Sequence, residues 1–151
     1  MTEQEQTTLN HLLSILQGQK PLSDGEKVLA ENVVFHMDHY KSRGGRKGWH
    51  NWMAFSREKG RITDLSVICD RMVANPNQTI TTSGRWVGKR NGKEVTSDEL
   101  SVTYRIEQGK IVEVWTTRQN YAFIFGDIIK SQIGLFIIYL QLRIWSWING
   151  Y

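Results

Sequence analysis

The densest run of titratable side chains in the chain is His36-Met37-Asp38-His39. A histidine or carboxylate walled by Trp, Met and Tyr can be desolvated until its pKa moves toward neutrality. Such a group can take a proton from an acidic C–H, provided a donor meets the oxygen on which charge builds. Isomerases, dehydratases and cyclases all need that pair of functions. Strand alternation puts His36 and Asp38 on one face and Met37 and His39 on the other, so at most one pair looks inward. The competing reading is a strand end where these groups meet solvent or the basic loop that follows. His36 and His39 point apart at this spacing and make poor co-ligands for a metal.

Asp98 shares the parity of Leu100, Val102 and Tyr104 and is the second candidate carboxylate; a turn role beside Ser97 and Glu99 competes with it. Asp70 and Arg85 lie on central strands and are candidates for a buried ion pair. Trp49, Trp52, Trp86, Tyr104 and Trp115 are candidate walls of a pocket that is mostly apolar with a few convergent polar groups. Six tryptophans suit a flat, polycyclic or terpenoid-like ligand. Core packing is the plain alternative for any one of them.

The elements that must position these residues are legible from periodicity. Ser97 to Gln119 reads SDELSVTYRIEQGKIVEVWTTRQ. Leu100, Val102, Tyr104 and Ile106 alternate with polar residues, as in a strand with one buried face. Gln108-Gly109 turns the chain, and Lys110 to Thr117 returns as a second strand. This hairpin is expected at the centre of a sheet. Upstream, Leu9, Leu12, Leu13 and Leu16 predict a helix over Thr8 to Gln17, capped by Thr7 or Thr8 and ended by Gly18. A short helix follows Pro21, through Leu29. Asn32 to His39 reads as a strand, Tyr40 to Gly48 as a glycine-rich basic loop and Trp49 to Lys59 as a helix stopped by Gly60. Ile62 to Val73 is a strand with Leu65, Val67, Cys69 and Val73 tending to one face. Thr79 to Val87 is another, followed by the Arg90-Asn91-Gly92-Lys93 turn. Helices first and then a run of antiparallel strands imply an α+β domain with helices on one face of a curved sheet.

Bulk properties bound the function classes. The 151 residues suffice for one domain with a real core. The net charge of +4 is spread along the chain, without the basic stripe of a nucleic-acid binder. The single cysteine, Cys69, excludes an internal disulfide and fits a reducing, cytoplasmic setting; its strand context predicts a buried, inert thiol. The polar start TEQEQTT lacks the pattern of a signal peptide. No glycine-rich dinucleotide loop or P-loop is present, so no cofactor is implied.

From Ile129 to Ile148 apolar residues repeat at three and four, and from Ile133 onward they cover nearly the whole helix. Asp127, Lys130, Gln132, Gln141 and Arg143 interrupt it, against a membrane span of about 20 apolar residues. Two readings remain. The helix closes the open side of the sheet and packs on a second subunit of a homodimer, or Ile133 to Trp147 lies on a membrane surface as an interfacial foot.

Leu29-Ala-Glu-Asn-Val-Val-Phe-His36 and Arg105-Ile-Glu-Gln-Gly-Lys-Ile-Val-Glu-Val-Trp115, in this order of elements, resemble the nuclear-transport-factor-2-like superfamily and its SnoaL-like, polyketide-cyclase-like branch. The resemblance runs from about Leu9 to Ile133. It implies a cone, a bent mixed sheet wrapped by N-terminal helices around one largely apolar pocket. Residues 120–151 form a helical extension beyond the usual ending of the branch. Members include isomerases, hydrolases, lyases and cyclases of natural-product biosynthesis, besides non-catalytic binding modules. The polyketide-cyclase base matches Gln119, which cannot take a proton at neutral pH. The ketosteroid-isomerase base matches Met37, with Asp38 adjacent.

Two functions therefore stand as expectations. One is a cofactor-independent cyclase, isomerase or dehydratase acting on an apolar oxygenated small molecule. In it His36 or Asp38 moves the proton, Asp98 assists, Gln119 holds a substrate oxygen, and Met37, Trp52, Trp86, Tyr104 and Trp115 line the pocket. The other is a non-catalytic module for ligand capture or dimerisation.

Overall fold

A computed structural model of the protein describes residues Met1 to Gly150. Helix α1 spans Glu3–Leu16 and buries Leu9, Leu12, Ile15 and Leu16. It starts well before the expected Thr8, because Thr2 and Glu5 form a reciprocal capping box. The Glu5 backbone N–H donates to Thr2 Oγ1 at 3.1 Å, and the Thr2 N–H donates to the Glu5 carboxylate at 2.7 Å. Thr8, expected as a cap, is buried instead and donates its hydroxyl to the Gly109 carbonyl at 3.0 Å. That bond ties α1 to the turn of the central hairpin.

A 3-10 turn at Leu22–Asp24 and helix α2 (Gly25–Val28) lead into strand β1 (Leu29–Met37). The expected basic loop is mostly structured. Strand β2 (Tyr40–Ser42) folds back on β1, and helix α3 (Gly45–Lys59) begins four residues before Trp49. Strands β3 (Thr63–Ala74), β4 (Thr79–Arg90), β5 (Lys93–Thr96), β6 (Leu100–Glu107) and β7 (Lys110–Thr116) complete the sheet.

The sheet order is β2-β1-β7-β6-β4-β3, with β5 on β4. The β6–β7 hairpin is central, and Gln108 (φ 50°) and Gly109 (φ 75°) make its turn with the left-handed geometry that matches strand twist. β1 pairs with β7 in parallel, Val34 against Glu113 and His36 against Trp115, so the sheet is mixed, as the resemblance implies. A correction concerns β3. Its pairing with β4 slips between Cys69 and Arg71, and such a bulge reverses the alternation beyond it. Leu65 and Val67 stay buried, but Val73 is exposed and Met72 packs on the core instead.

The helices cover the inner face of the sheet. Trp49, Met53 and Phe55 of α3 and the α1 leucines meet Val33, Val67, Ile80, Trp86, Tyr104, Ile111 and Val114 in one continuous core. After β7 come a 3-10 turn at Arg118–Tyr121, helix α4 (Ala122–Phe125), a 3-10 turn at Asp127–Lys130 and helix α5 (Gln132–Ile148). The apolar C-terminal run is thus one helix only from Gln132. Ser131 caps it, accepting from the Gly134 N–H at 2.9 Å. Among the described residues no helix is long and apolar enough to cross a membrane.

Candidate binding site

The space between helices and sheet is narrow. It contains a cavity of about 60 Å³, walled by Leu12, Leu13 and Leu16 of α1, Trp49 and Met53 of α3, and the inward residues of β1, β3, β4, β6 and β7. By comparison, an apolar cavity that takes up benzene measures about 150 Å³. The tryptophans and leucines fill most of the cone themselves, so a polycyclic ligand enters only if they move.

Sheet pairing decides which residues look in. Phe35 and Val114 both line the cavity and are direct partners in the β1–β7 register. Alternation therefore sends their neighbours His36, Glu113 and Trp115 to the opposite face. There His36 Nε2 lies 2.6 Å from Glu113 Oε1. Arg105 Nη2 meets the other Glu113 oxygen at 2.6 Å, and the Trp115 ring stacks on His36 at 5.2 Å. The result is a half-buried polar network on the outer sheet surface, with the tryptophan as its lid.

Besides the indoles of Trp49 and Trp86, the lining residues with a polar side-chain atom are Thr82, Ser83, Tyr104, Tyr121 and Cys69. Burial pushes the Tyr104 hydroxyl well above the ordinary tyrosine range, only partly offset by its hydrogen bond with Thr82. Burial also pushes Tyr121 up to about 12, against a hydrogen bond with Thr116. Both phenols stay protonated at neutral pH and act as donors. Cys69 is half-buried rather than fully buried, and burial raises its thiol. Among the described residues, no carboxylate or imidazole lines the cavity.

Of the residues singled out from sequence, Trp86 and Tyr104 line the cavity. Trp86 Nε1 donates to the Asn120 carbonyl at 2.9 Å and so pins the Arg118–Tyr121 turn over the end of the cone. Trp52 is not part of the cavity lining; its ring stands edge-on behind the lining residue Tyr121 at 5.5 Å and against Phe125 at 5.2 Å. Met37, the last residue of β1, pairs with Tyr40 and Thr116 and is not part of the lining. Asp38 follows in a left-handed turn (φ 53°), where its Oδ2 accepts from both Nε and the backbone N–H of Arg118 at 3.0 Å. Asp98 does not reach β6. It is exposed in the preceding loop, its carbonyl accepting from Ser97 Oγ at 2.7 Å. Gln119 is exposed on the turn after β7. The Asp70–Arg85 pair, 3.2 Å apart, is a half-exposed surface bridge rather than a buried one.

Sequence reasoning passed over Phe35, Thr82, Ser83 and Tyr121. The signal for Thr82 and Ser83 was weak, because the run Thr79-Ile-Thr-Thr-Ser-Gly-Arg-Trp is polar on both parities. Tyr121 lies in the segment after β7, where no period applies.

A mixed, bent sheet wrapped by helices around a narrow apolar cavity defines a nuclear-transport-factor-2-like fold. The chain belongs to the SnoaL-like domain family, whose model matches residues 16–114. Three solved structures share the fold. A candidate polyketide cyclase of Sinorhizobium meliloti is 13% identical over 72% of this chain and 92% of its own, with a TM-score of 0.55. An epoxide hydrolase of the LEH-like type from M. tuberculosis is 12% identical over 82% and 86%, at 0.61. An NTF2-like protein of Burkholderia pseudomallei is 14% identical over 76% and 89%, at 0.62. Comparison with curated proteins gives no match.

Proposed function

We propose that this SnoaL-like protein captures a compact, mostly apolar small molecule carrying one acceptor oxygen, held in the cone by tyrosine hydroxyls. One observation carries the reading: the cavity sets two tyrosines, Tyr104 and Tyr121, among apolar walls, their hydroxyls exchangeable between Thr82 or Thr116 and a ligand oxygen, and no group of its described lining can accept a proton at neutral pH. A pocket of that kind orients a carbonyl or ether oxygen and excludes water.

The non-catalytic alternative is therefore preferred to a cyclase, isomerase or dehydratase. Acid–base catalysis needs the base within hydrogen-bond reach of the proton it removes. His36 is engaged by Glu113 and Asp38 by Arg118, both away from the cavity. The catalytic reading keeps one point in its favour: protonated phenols are the donors an enolate oxygen requires. Native mass spectrometry of the protein purified from its own cells separates the two. Release of one small molecule, unchanged after prolonged incubation with fresh protein, supports capture. Conversion to a product, at a rate that Asp38→Asn, His36→Ala or Asp98→Asn lowers, would replace it with catalysis.

A further inference from the structure

We propose that the Arg118–Tyr121 turn is the gate of the cone and that Asp38 is the residue that latches it. Closed, the turn sets Tyr121 in the cavity wall; lifted, it opens a way in. Every other lining residue is carried by α1, by α3 or by a strand of the sheet. Tyr121 alone rides on a four-residue 3-10 turn, in which no residue is fully buried. Such a turn has poorer hydrogen-bond geometry than a helix or a ladder, so it is the part of the wall that moves most cheaply.

The turn is tied at both ends. At its start Asp38 Oδ2 accepts from Nε and from the backbone N–H of Arg118, both at 3.0 Å. The Arg118 guanidinium also lies 5.6 Å from the centre of the Tyr40 ring. Asp38 is itself fixed in the tip between β1 and β2, where its N–H donates to the Thr116 carbonyl at 3.2 Å. At the other end the Asn120 carbonyl accepts from Trp86 Nε1, and its amide donates to the Ser101 carbonyl and to Thr116 Oγ1, all at 2.9 Å. Of these ties, the one to Asp38 joins two opposite charges.

The closed form carries a penalty that opening relieves. Arg118 Nη1 and Trp52 Nε1 are buried and have no hydrogen-bond partner among the described residues. Side chains three apart on a 3-10 turn eclipse, so Arg118 stands beside Tyr121, and the Trp52 ring meets Tyr121 edge-on at 5.5 Å. Two unpaired donors thus border the one movable wall residue. Leaving them unpaired is destabilising, and water reaches them once the turn lifts. This narrows the gap between closed and open forms. The Asp38–Arg118 pair, whose side chains are 28% and 17% exposed, tips the balance toward closed. As the entry of a captured molecule, the gate rests on the function proposed above; as an opening of the cavity it does not.

Hydrogen exchange of the Trp86 indole N–H, followed by NMR on the full chain, reads the opening, because that proton is freed when Asn120 lifts. In wild type it should exchange faster than the backbone N–H groups of Ile111 and Val114 and should ignore low urea, as a local opening does. Asp38→Asn should speed it about tenfold, the share of a hydrogen bond that is owed to charge. Arg118→Gln should do the same, and the double variant should be no faster than either. Benzene should enter and leave the Met53→Ala cavity faster by a like factor in Met53→Ala/Asp38→Asn, with its dissociation constant unchanged. Trp86 exchange that is indifferent to Asp38, Trp86 exchange with the urea dependence of Ile111 and Val114, or benzene rates that stay the same would each overturn the gate. Native mass spectra without a retained molecule would remove capture alone, and the gate would stand on accelerated Trp86 exchange.

Discussion

Replacing Met53 by alanine probes the cone directly. Met53 is 3% exposed on α3 and forms part of the cavity wall. Alanine is the best helix former, so α3 itself is not weakened. The change deletes the side chain beyond Cβ and frees roughly 70 Å³, for which ~24 cal/mol per Å³ gives a cavity penalty of about 1.7 kcal/mol. The lost transfer free energy of about two methylene equivalents, at ~0.8 kcal/mol each, brings the destabilisation to about 3 kcal/mol. The enlarged space then approaches the ~150 Å³ that admits benzene. Benzene at about a hundred times its dissociation constant should return ~2.7 kcal/mol. Urea denaturation of both proteins, with and without benzene, reads the midpoints. The expected pattern is a large shift in the variant and little in wild type, whose cavity is about 60 Å³. A variant destabilised by less than about 1 kcal/mol, outside the usual range for such truncations, and indifferent to benzene would refute the picture of a closed apolar cavity at Met53.

Further outcomes follow from the same geometry. Tyr104 and Tyr121 bind their protons more tightly folded than unfolded. Their contribution to stability is complete below about pH 10, where the unfolded phenols begin to ionise, and is lost as the pH rises toward 12 and beyond. Absorbance at alkaline pH should show two of the five tyrosines ionising only with unfolding; five titrating together near pH 10 would contradict their burial. Tyr104→Phe should cost about 1 kcal/mol through its bond with Thr82 and weaken ligand retention in native mass spectra. Glu113→Gln and His36→Ala should each destabilise by about 1–2 kcal/mol and show non-additive coupling in a double-mutant cycle, with ligand retention unchanged. Loss of retention in either would draw the outer network into the site.

Much of the architecture was legible because period-two alternation and turn chemistry are local. Gln108-Gly109 and Asn91-Gly92 sit in left-handed turns, as their residue types demand. The facing of β1 was not legible, since Val33-Phe35-Met37 and Val34-His36-Asp38 are each plausible inner sets. The decision came from β7, whose Val114 faces the cone while Glu113 and Trp115 turn out, and that parallel pairing joins residues far apart in the chain. The β3 bulge had the same origin: nothing near Asp70 marks it, and its effect on Val73 is read only against β4. The start of α1 was a different failure. The Thr2–Glu5 box fits the spacing of a cap, but the leucine period begins later and drew the boundary with it. For the site, tryptophan content pointed to the cone, yet neither Trp52 nor Trp115 lines the cavity: Trp52 packs on Tyr121 and Phe125, and Trp115 stacks on His36.

The central claim is that the cone supplies donors to a bound oxygen and no base. Hydrogen–deuterium exchange at carbon tests it most directly, with cyclohexanone as a probe that offers one carbonyl and exchangeable neighbouring C–H bonds. In deuterium oxide at neutral pH, the roomier Met53→Ala protein should leave the buffer exchange rate unchanged while the ketone protects its fold against urea. Accelerated exchange that disappears in Asp38→Asn or His36→Ala would contradict the account and put a working base beside the tyrosines.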